Sequence, residues 1–147
     1  MRRILNLTLL MLSTSVFADM LEPLSFGTIV VARNDRISSV KMPTNGAMSS
    51  TNDIHIMDRG HPARLYIEDL PANTLINFSS SSLNVKLTRV EPAPPFTLTQ
   101  LLFKPAKQSN VYGEIELVIG AIIQTSGTGD VYTDGDYQGT VSIELSF

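Results

Sequence analysis

The chain of 147 residues predicts an all-β fold: an antiparallel sandwich or barrel of about eight or nine short strands behind an export signal. Three observations predict it. Apolar residues recur with period two almost throughout, most cleanly at the end, where Tyr137, Gly139, Val141, Ile143, Leu145 and Phe147 alternate with Gln138, Thr140, Ser142, Glu144 and Ser146. No 12-residue window keeps the i, i+3, i+4, i+7 spacing of an amphipathic helix. Turn-forming pairs such as Asn45-Gly46, Arg59-Gly60 and Asp134-Gly135 punctuate the runs at short intervals.

The first eighteen residues read as a signal peptide. Arg2 and Arg3 supply a positive start, residues 4–12 a short apolar run, and Val16-Phe17-Ala18 a cleavage site before Asp19. That run is too short to span a bilayer, which takes about 20 residues, and no later stretch would serve as a transmembrane helix. The expected domain is therefore residues 19–147, a body long enough to rely on its core. With no cysteine in the chain, it holds itself together without disulfides and carries no lipidated cysteine. Nine basic residues against fourteen acidic in residues 19–147 leave five net negative charges. Nucleic-acid binding, which needs clustered Lys and Arg against phosphates, is excluded as a partner class.

Along the body, Leu24, Phe26, Thr28 and Val30 alternate in an opening strand. Ile54, Ile56, Leu65, Ile67, Leu75, Leu83, Val85 and Leu87 mark further strands, followed by Phe96, Leu98 and the run 113–124. Asp134-Gly135 suits a two-residue hairpin turn that would fold 131–133 back on the last strand. The Pro-rich residues 92–95 cannot donate ladder hydrogen bonds and so belong to a crossover or an edge. Gly120 interrupts a β-branched run and Gly27 follows Phe26, both marks of a bulge or bend. Gly139 leaves room beside Tyr137 for the ring to lie over neighbouring backbone.

Three blocks carry a resemblance. Leu24-Ser-Phe-Gly-Thr-Ile29 resembles the opening L-x-F-G-x-I signature of an uncharacterised bacterial family, domain of unknown function 4402. Gly113-Glu-Ile-Glu-Leu-Val-Ile-Gly-Ala-Ile-Ile123 is similar to its G-x-L-x-L-x-V-G-G-x-L block. Tyr137-Gln-Gly-Thr-Val-Ser-Ile-Glu-Leu-Ser-Phe147 is similar to its closing Y-x-G-T-F-T-V-T-V-x-Y strand. The middle follows the family only loosely, with Glu68-Asp69-Leu70 in place of a usual glycine. The resemblance implies an exported Gram-negative protein with an antiparallel, immunoglobulin-like (pilin-like) β-sandwich of pilin type or spore-coat-U type. It also implies a structural role in the periplasm, at the outer-membrane surface or outside the cell, such as a fimbrial subunit, and it brings no catalytic residue.

Chemistry is sparse. Asp53, His55 and His61 are the best metal candidates, since Asp53 and His55 share a strand face and His61 could return across Arg59-Gly60. Their spacing matches no established ligand pattern, so no metal and no cofactor is expected. Asp130, Asp134 and Asp136 lack the alternation of a calcium loop. No G-x-S-x-G elbow surrounds a serine, and the expectation is a protein that is not an enzyme.

The weight falls instead on packing and interaction residues: Phe26, Gly27, Gly120, Tyr137, Gly139, Val141, Ile143, Leu145 and Phe147. Such a strand could close a sandwich. It could also be gripped by a periplasmic chaperone or another subunit through β-strand addition. If the chain polymerises by strand exchange, Leu24–Val31 would have to be the donor, because only residues 19–23 precede it. A small eight-stranded outer-membrane barrel ending on Phe147 and a periplasmic metal- or ligand-binding sandwich are the alternatives.

Overall fold

The computed structural model describes residues 2–10, 17–81 and 84–147, with side chains from Ala18 onward; Val16 and Leu83, read above as part of the cleavage site and as a strand position, lie outside them. The described residues form thirteen strands and no helix: β1 Arg2–Leu10, β2 Phe17–Glu22, β3 Leu24–Val31, β4 Ser39–Met42, β5 Ser49–Ser50, β6 Ile54–Asp58, β7 Ala63–Glu68, β8 Leu75–Ser79, β9 Val85–Leu87, β10 Phe96–Leu102, β11 Ala106–Gln108, β12 Ile115–Gln124 and β13 Asp136–Ser146. They exceed the expected number because β1 and β2 lie in or across the segment read as a signal and β5 and β11 are too short to show an alternation.

Two sheets face each other. One has the order β11-β8-β13-β1-β3-β6, the other β2-β7-β12-β10-β9, with β4 on β12 and β5 on β4. The protein is thus an antiparallel β-sandwich. The inward residues are those that alternation selects: Tyr137, Val141, Ile143 and Leu145 on β13, Ile76 and Phe78 on β8, against Leu65 and Ile67 on β7, Leu117, Ile119 and Ile123 on β12, and Phe96 and Leu98 on β10. Each buried aliphatic or aromatic side chain of this kind contributes about 1.5–3 kcal/mol.

Backbone events at three positions redirect that pattern. Gly27 has φ of +66° and sits at a bulge, where a Cβ would meet the Asp58 carbonyl at 2.2 Å. The pairing register of β3 shifts on both of its edges around this residue. The bulge turns the strand over, so, at an end that the sequence leaves apolar on both faces, Ile29 is fully buried and Val30, in the series of Leu24 and Phe26, is 44% exposed. Gly120 lies where β12 exchanges one neighbour for another: residues 115–119 pair with β7 and residues 121–124 with β4. A Cβ there would come within 2.0 Å of the Met42 carbonyl. At Gly139 the space is taken by Leu87, whose Cδ2 would lie 2.5 Å from a Cβ, rather than by the Tyr137 ring.

The Tyr137 ring packs edge-on against Phe96 at 5.0 Å, and Phe96 in turn lies 4.2 Å from Tyr132. Tyr132 explains why Asp134-Gly135 makes no hairpin. Residues 131–133 are not a strand. Tyr132 is buried, its hydroxyl donates to the Pro95 carbonyl at 2.7 Å, and it accepts from the Ser126 N–H at 2.9 Å. Burying that ring draws the segment toward the core and away from the ladder. Residues 92–95 fall, as the prolines require, in the connection between β9 and β10. Leu75 marks a strand but is 58% exposed, since Ile76 and Phe78 take the inward positions.

Candidate interaction site

The last strand builds the site. β13 is eleven residues long, and its two faces differ sharply. Tyr137, Val141, Ile143 and Leu145 are buried, whereas Gln138, Thr140 and Ser146 are exposed and Ser142 and Glu144 half-buried. Phe147, expected on the inward face, lies beyond the strand and is 52% exposed. The sheet ends at Ser146, so nothing continues the pleat that would turn this ring inward.

Its two edges also differ. Gln138 exchanges both backbone hydrogen bonds with Thr88, at 2.8 and 2.9 Å, and the Ser142 carbonyl accepts from the Ser80 hydroxyl. Successive residues of a strand direct their backbone groups to opposite edges. Even-numbered positions therefore serve the β8 side, and Gly139, Val141 and Ile143 point their N–H and C=O groups to the opposite edge. On that edge lies β1.

β1 runs parallel to β13, from Arg2 opposite Asp136 to Leu10 opposite Glu144. Its other edge pairs antiparallel with β3, from Arg2 opposite Thr28 to Leu5 opposite Leu24. Residues 2–10 thus occupy a slot between the first and last strands of the body. In register, Leu5, Leu7 and Leu9 stand opposite Gly139, Val141 and Ile143. Among the described residues this is the only parallel pairing. It depends on the segment read as an export signal, as do the β1–β3 pairing and the Phe17 and Ala18 positions of β2. The available clue was the alternation of Leu5, Leu7 and Leu9 with Asn6 and Thr8.

A second open edge lies on the other sheet. β10 covers β12 only over residues 120–124, on the edge opposite β7. Over residues 115–119 that edge has no strand beside it among the described residues. There the Glu116 carbonyl accepts from the Lys107 ammonium at 2.6 Å. A cleft of about 700 Å³ opens beside it, lined by Leu102, Phe103, Lys104, Lys107 and Val118 among others. The lysine caps the exposed edge, a common defence against unwanted pairing.

The metal candidates are put to other uses. Asp53 is nearly buried and accepts from Arg36 Nε at 2.8 Å, with Arg33 Nε at 3.9 Å. The hydrogen bond from Arg36 holds the Asp53 carboxyl below the usual carboxylate range, against the opposing effect of burial. His55 is exposed on β6, and His61 exchanges backbone hydrogen bonds with Ser25 at 2.9 and 3.0 Å. No cluster of three or more His, Cys, Asp or Glu side chains able to hold a metal occurs among the described residues. Asp130 accepts from Thr128 Oγ1 at 2.8 Å, within the loop it was expected to occupy.

The Asp53–Arg36 pair predicts a pH dependence. A carboxyl with a lowered folded pKa contributes stability that is complete above its unfolded value of about 3.9 and fades as pH falls through the folded value. Asp53→Asn is therefore expected to lower the thermal midpoint at neutral pH, with the gap to the parent closing under strong acid. Melting both proteins at neutral pH and near pH 2 checks this.

No family model matches the chain, and neither a curated protein nor a solved structure does. No described helix crosses a membrane; the structure is made of strands.

Proposed function

We propose that this chain is a non-enzymatic structural or interaction protein, exported to the Gram-negative envelope or cell surface. There, its residues 19–147 accept an extended strand from a partner into the slot between β3 and β13. The observation that carries the reading is the occupancy of that slot by residues 2–10, the segment that export would remove. Without it two long strands face each other with unpaired edges, and exposed edges of this kind recruit strands. A periplasmic chaperone or a fimbrial subunit is the partner class this fits, in keeping with the resemblance to domain of unknown function 4402.

The expectation that Leu24–Val31 would act as the donor sits badly with its place in the body. β3 pairs with β6, and Leu24, Phe26 and Ile29 are all but wholly buried. The barrel reading is disfavoured by β13, whose apolar positions face the other sheet while its outer face carries Gln138, Thr140 and Glu144. A lipid-facing strand needs the reverse.

Expression in a Gram-negative host with amino-terminal sequencing and fractionation tests the proposal. A mature chain beginning at Asp19 and released from membranes by a carbonate wash is the expected result. An unprocessed cytoplasmic chain, or heat-modifiable migration with retention in washed membranes, would contradict it.

A further inference from the structure

We propose that the cleft beside the open edge of β12 binds an aliphatic carboxylate of medium chain length, with the chain on Leu102, Phe103 and Val118 and the headgroup on Lys104 and Lys107. The site is independent of the slot between β3 and β13. It opens between β11 and β12, and β8 and β13 separate β11 from β1.

A single step of the chain opens this cleft. β10 ends at Leu102, which stands opposite Gly120. Continuing that register would set Lys104 opposite Val118 and Ala106 opposite Glu116. Pro105 instead lacks the N–H that a ladder needs, and its carbonyl accepts from the Phe78 N–H at 2.8 Å, on the edge of the other sheet. Residues 103–105 therefore cross from one sheet to the other and leave the edge of β12 at Val118 uncovered by β10. The cleft of about 700 Å³ that results falls within the roughly 300–1,000 Å³ of small-molecule sites, and Leu117 of the core forms part of its wall.

The charges around the cleft select the headgroup. Lys107 stands opposite the buried Ile76, so its stem shares the inward face of β11 and reaches across the mouth of the sandwich to the Glu116 carbonyl at 2.6 Å. That contact leaves its ammonium with N–H donors to spare. Neither Lys107 nor Lys104 forms an ion pair among the described residues. The carboxylate that lines the cleft, Glu116, is taken by Arg64, whose Nε and Nη2 lie 2.8 and 2.7 Å from its Oε1. Both lysines thus border apolar surface without a counter-charge, in a body of net negative charge. An anion offsets them, and the apolar wall favours one that carries an alkyl chain. A strand is the poorer occupant, since Lys107 holds the Glu116 carbonyl that a ladder would need.

The test titrates the full chain with sodium decanoate below its micelle concentration, followed by NMR, with decylammonium as a probe of equal length and opposite charge. Shifts confined to the cleft, at Leu102, Phe103 and Val118, are expected, with decylammonium binding roughly tenfold more weakly. Affinity should rise roughly two- to fourfold per methylene from octanoate to decanoate. Lys104→Gln, at an exposed position that leaves the Lys107 contact in place, should weaken decanoate about threefold and leave decylammonium no weaker. Equal affinity for the two probes, an unchanged decanoate affinity in Lys104→Gln, or shifts outside the cleft would overturn the proposal. So would a failure to bind decanoate, with the cleft resonances moving instead on phosphatidylglycerol vesicles or with protein concentration, which would make the occupant a membrane surface or a second copy.

Discussion

Tyr137→Ala is expected to lower the unfolding free energy by about 3–5 kcal/mol, the usual cost of removing a buried aromatic side chain. Tyr137 is fully buried and meets Phe96 edge-on at 5.0 Å, in the layer where β13 and β10 pack across the sandwich. Its hydroxyl donates to the Thr133 carbonyl at 3.1 Å, which ties the incoming loop to the strand. Truncation removes the ring and leaves a cavity beneath Phe96 and Tyr132 that those rings cannot fill without losing their own contacts. Since a domain of this kind is stable by about 5–15 kcal/mol in all, the variant should lie close to its unfolding threshold. Tyr137→Phe keeps the ring and gives up only the hydroxyl, at about 0.5–1.5 kcal/mol. Urea denaturation with an unchanged slope for both variants measures the pair. A Tyr137→Ala variant as stable as the parent would mean that the ring is not in the core.

Ile143→Ala and Phe147→Ala should separate by several kcal/mol, although both residues belong to the same alternating series. Ile143 is fully buried and aligned with the β1 slot, and its truncation is expected to cost about 2–5 kcal/mol. Phe147 is 52% exposed past the last ladder residue, and its loss should fall within about 0.5 kcal/mol. The same two variants discriminate against a lipid-facing reading of the terminus, in which the final aromatic is the residue that matters. Chemical denaturation of the two variants in parallel gives the answer.

The physical reason one end of the series is buried and the other is not also says what was legible in the sequence. Where a strand has one face on the core and continues in unbroken pleat, period two names the inward residues. Val141, Ile143 and Leu145 could be read directly, whereas the run 117–123 is apolar on both faces and marked a strand without naming Leu117, Ile119 and Ile123 as its inward residues. Alternation is silent on where the ladder stops, and so it carried Phe147 inward. It is also blind to a bulge's effect. Gly27 signalled the bulge, but the consequence, Ile29 inward and Val30 outward, follows from the extra residue rather than from hydropathy. Asp134-Gly135 met the local chemistry of a hairpin and lost to Tyr132, whose burial and two hydroxyl hydrogen bonds outweigh a turn propensity.

The site was the least legible part. Residues 4–10 carry two patterns at once, an apolar run fit for export and an alternation fit for a sheet, and only the first was read. The carboxylate and imidazoles of Asp53, His55 and His61 looked convergent because they are close in sequence. Arg36 claims the carboxylate, and the backbone of His61 belongs to an edge of β3, separating groups that spacing alone would place together.

The slot is tested most directly by amide hydrogen exchange on β13 in a chain cut at a specific protease site replacing residues 12–15, with the amino-terminal segment bound and after it has been removed. Gly139, Val141 and Ile143 direct their amides toward β1, while the Gln138 N–H donates to the Thr88 carbonyl on the other edge. Removing residues 2–10 should speed exchange at Gly139, Val141 and Ile143 and leave Gln138 protected, with protection restored by the peptide of residues 2–10. Unchanged protection at the three odd positions would show that nothing was paired there, and the account of an open, strand-accepting edge would be wrong.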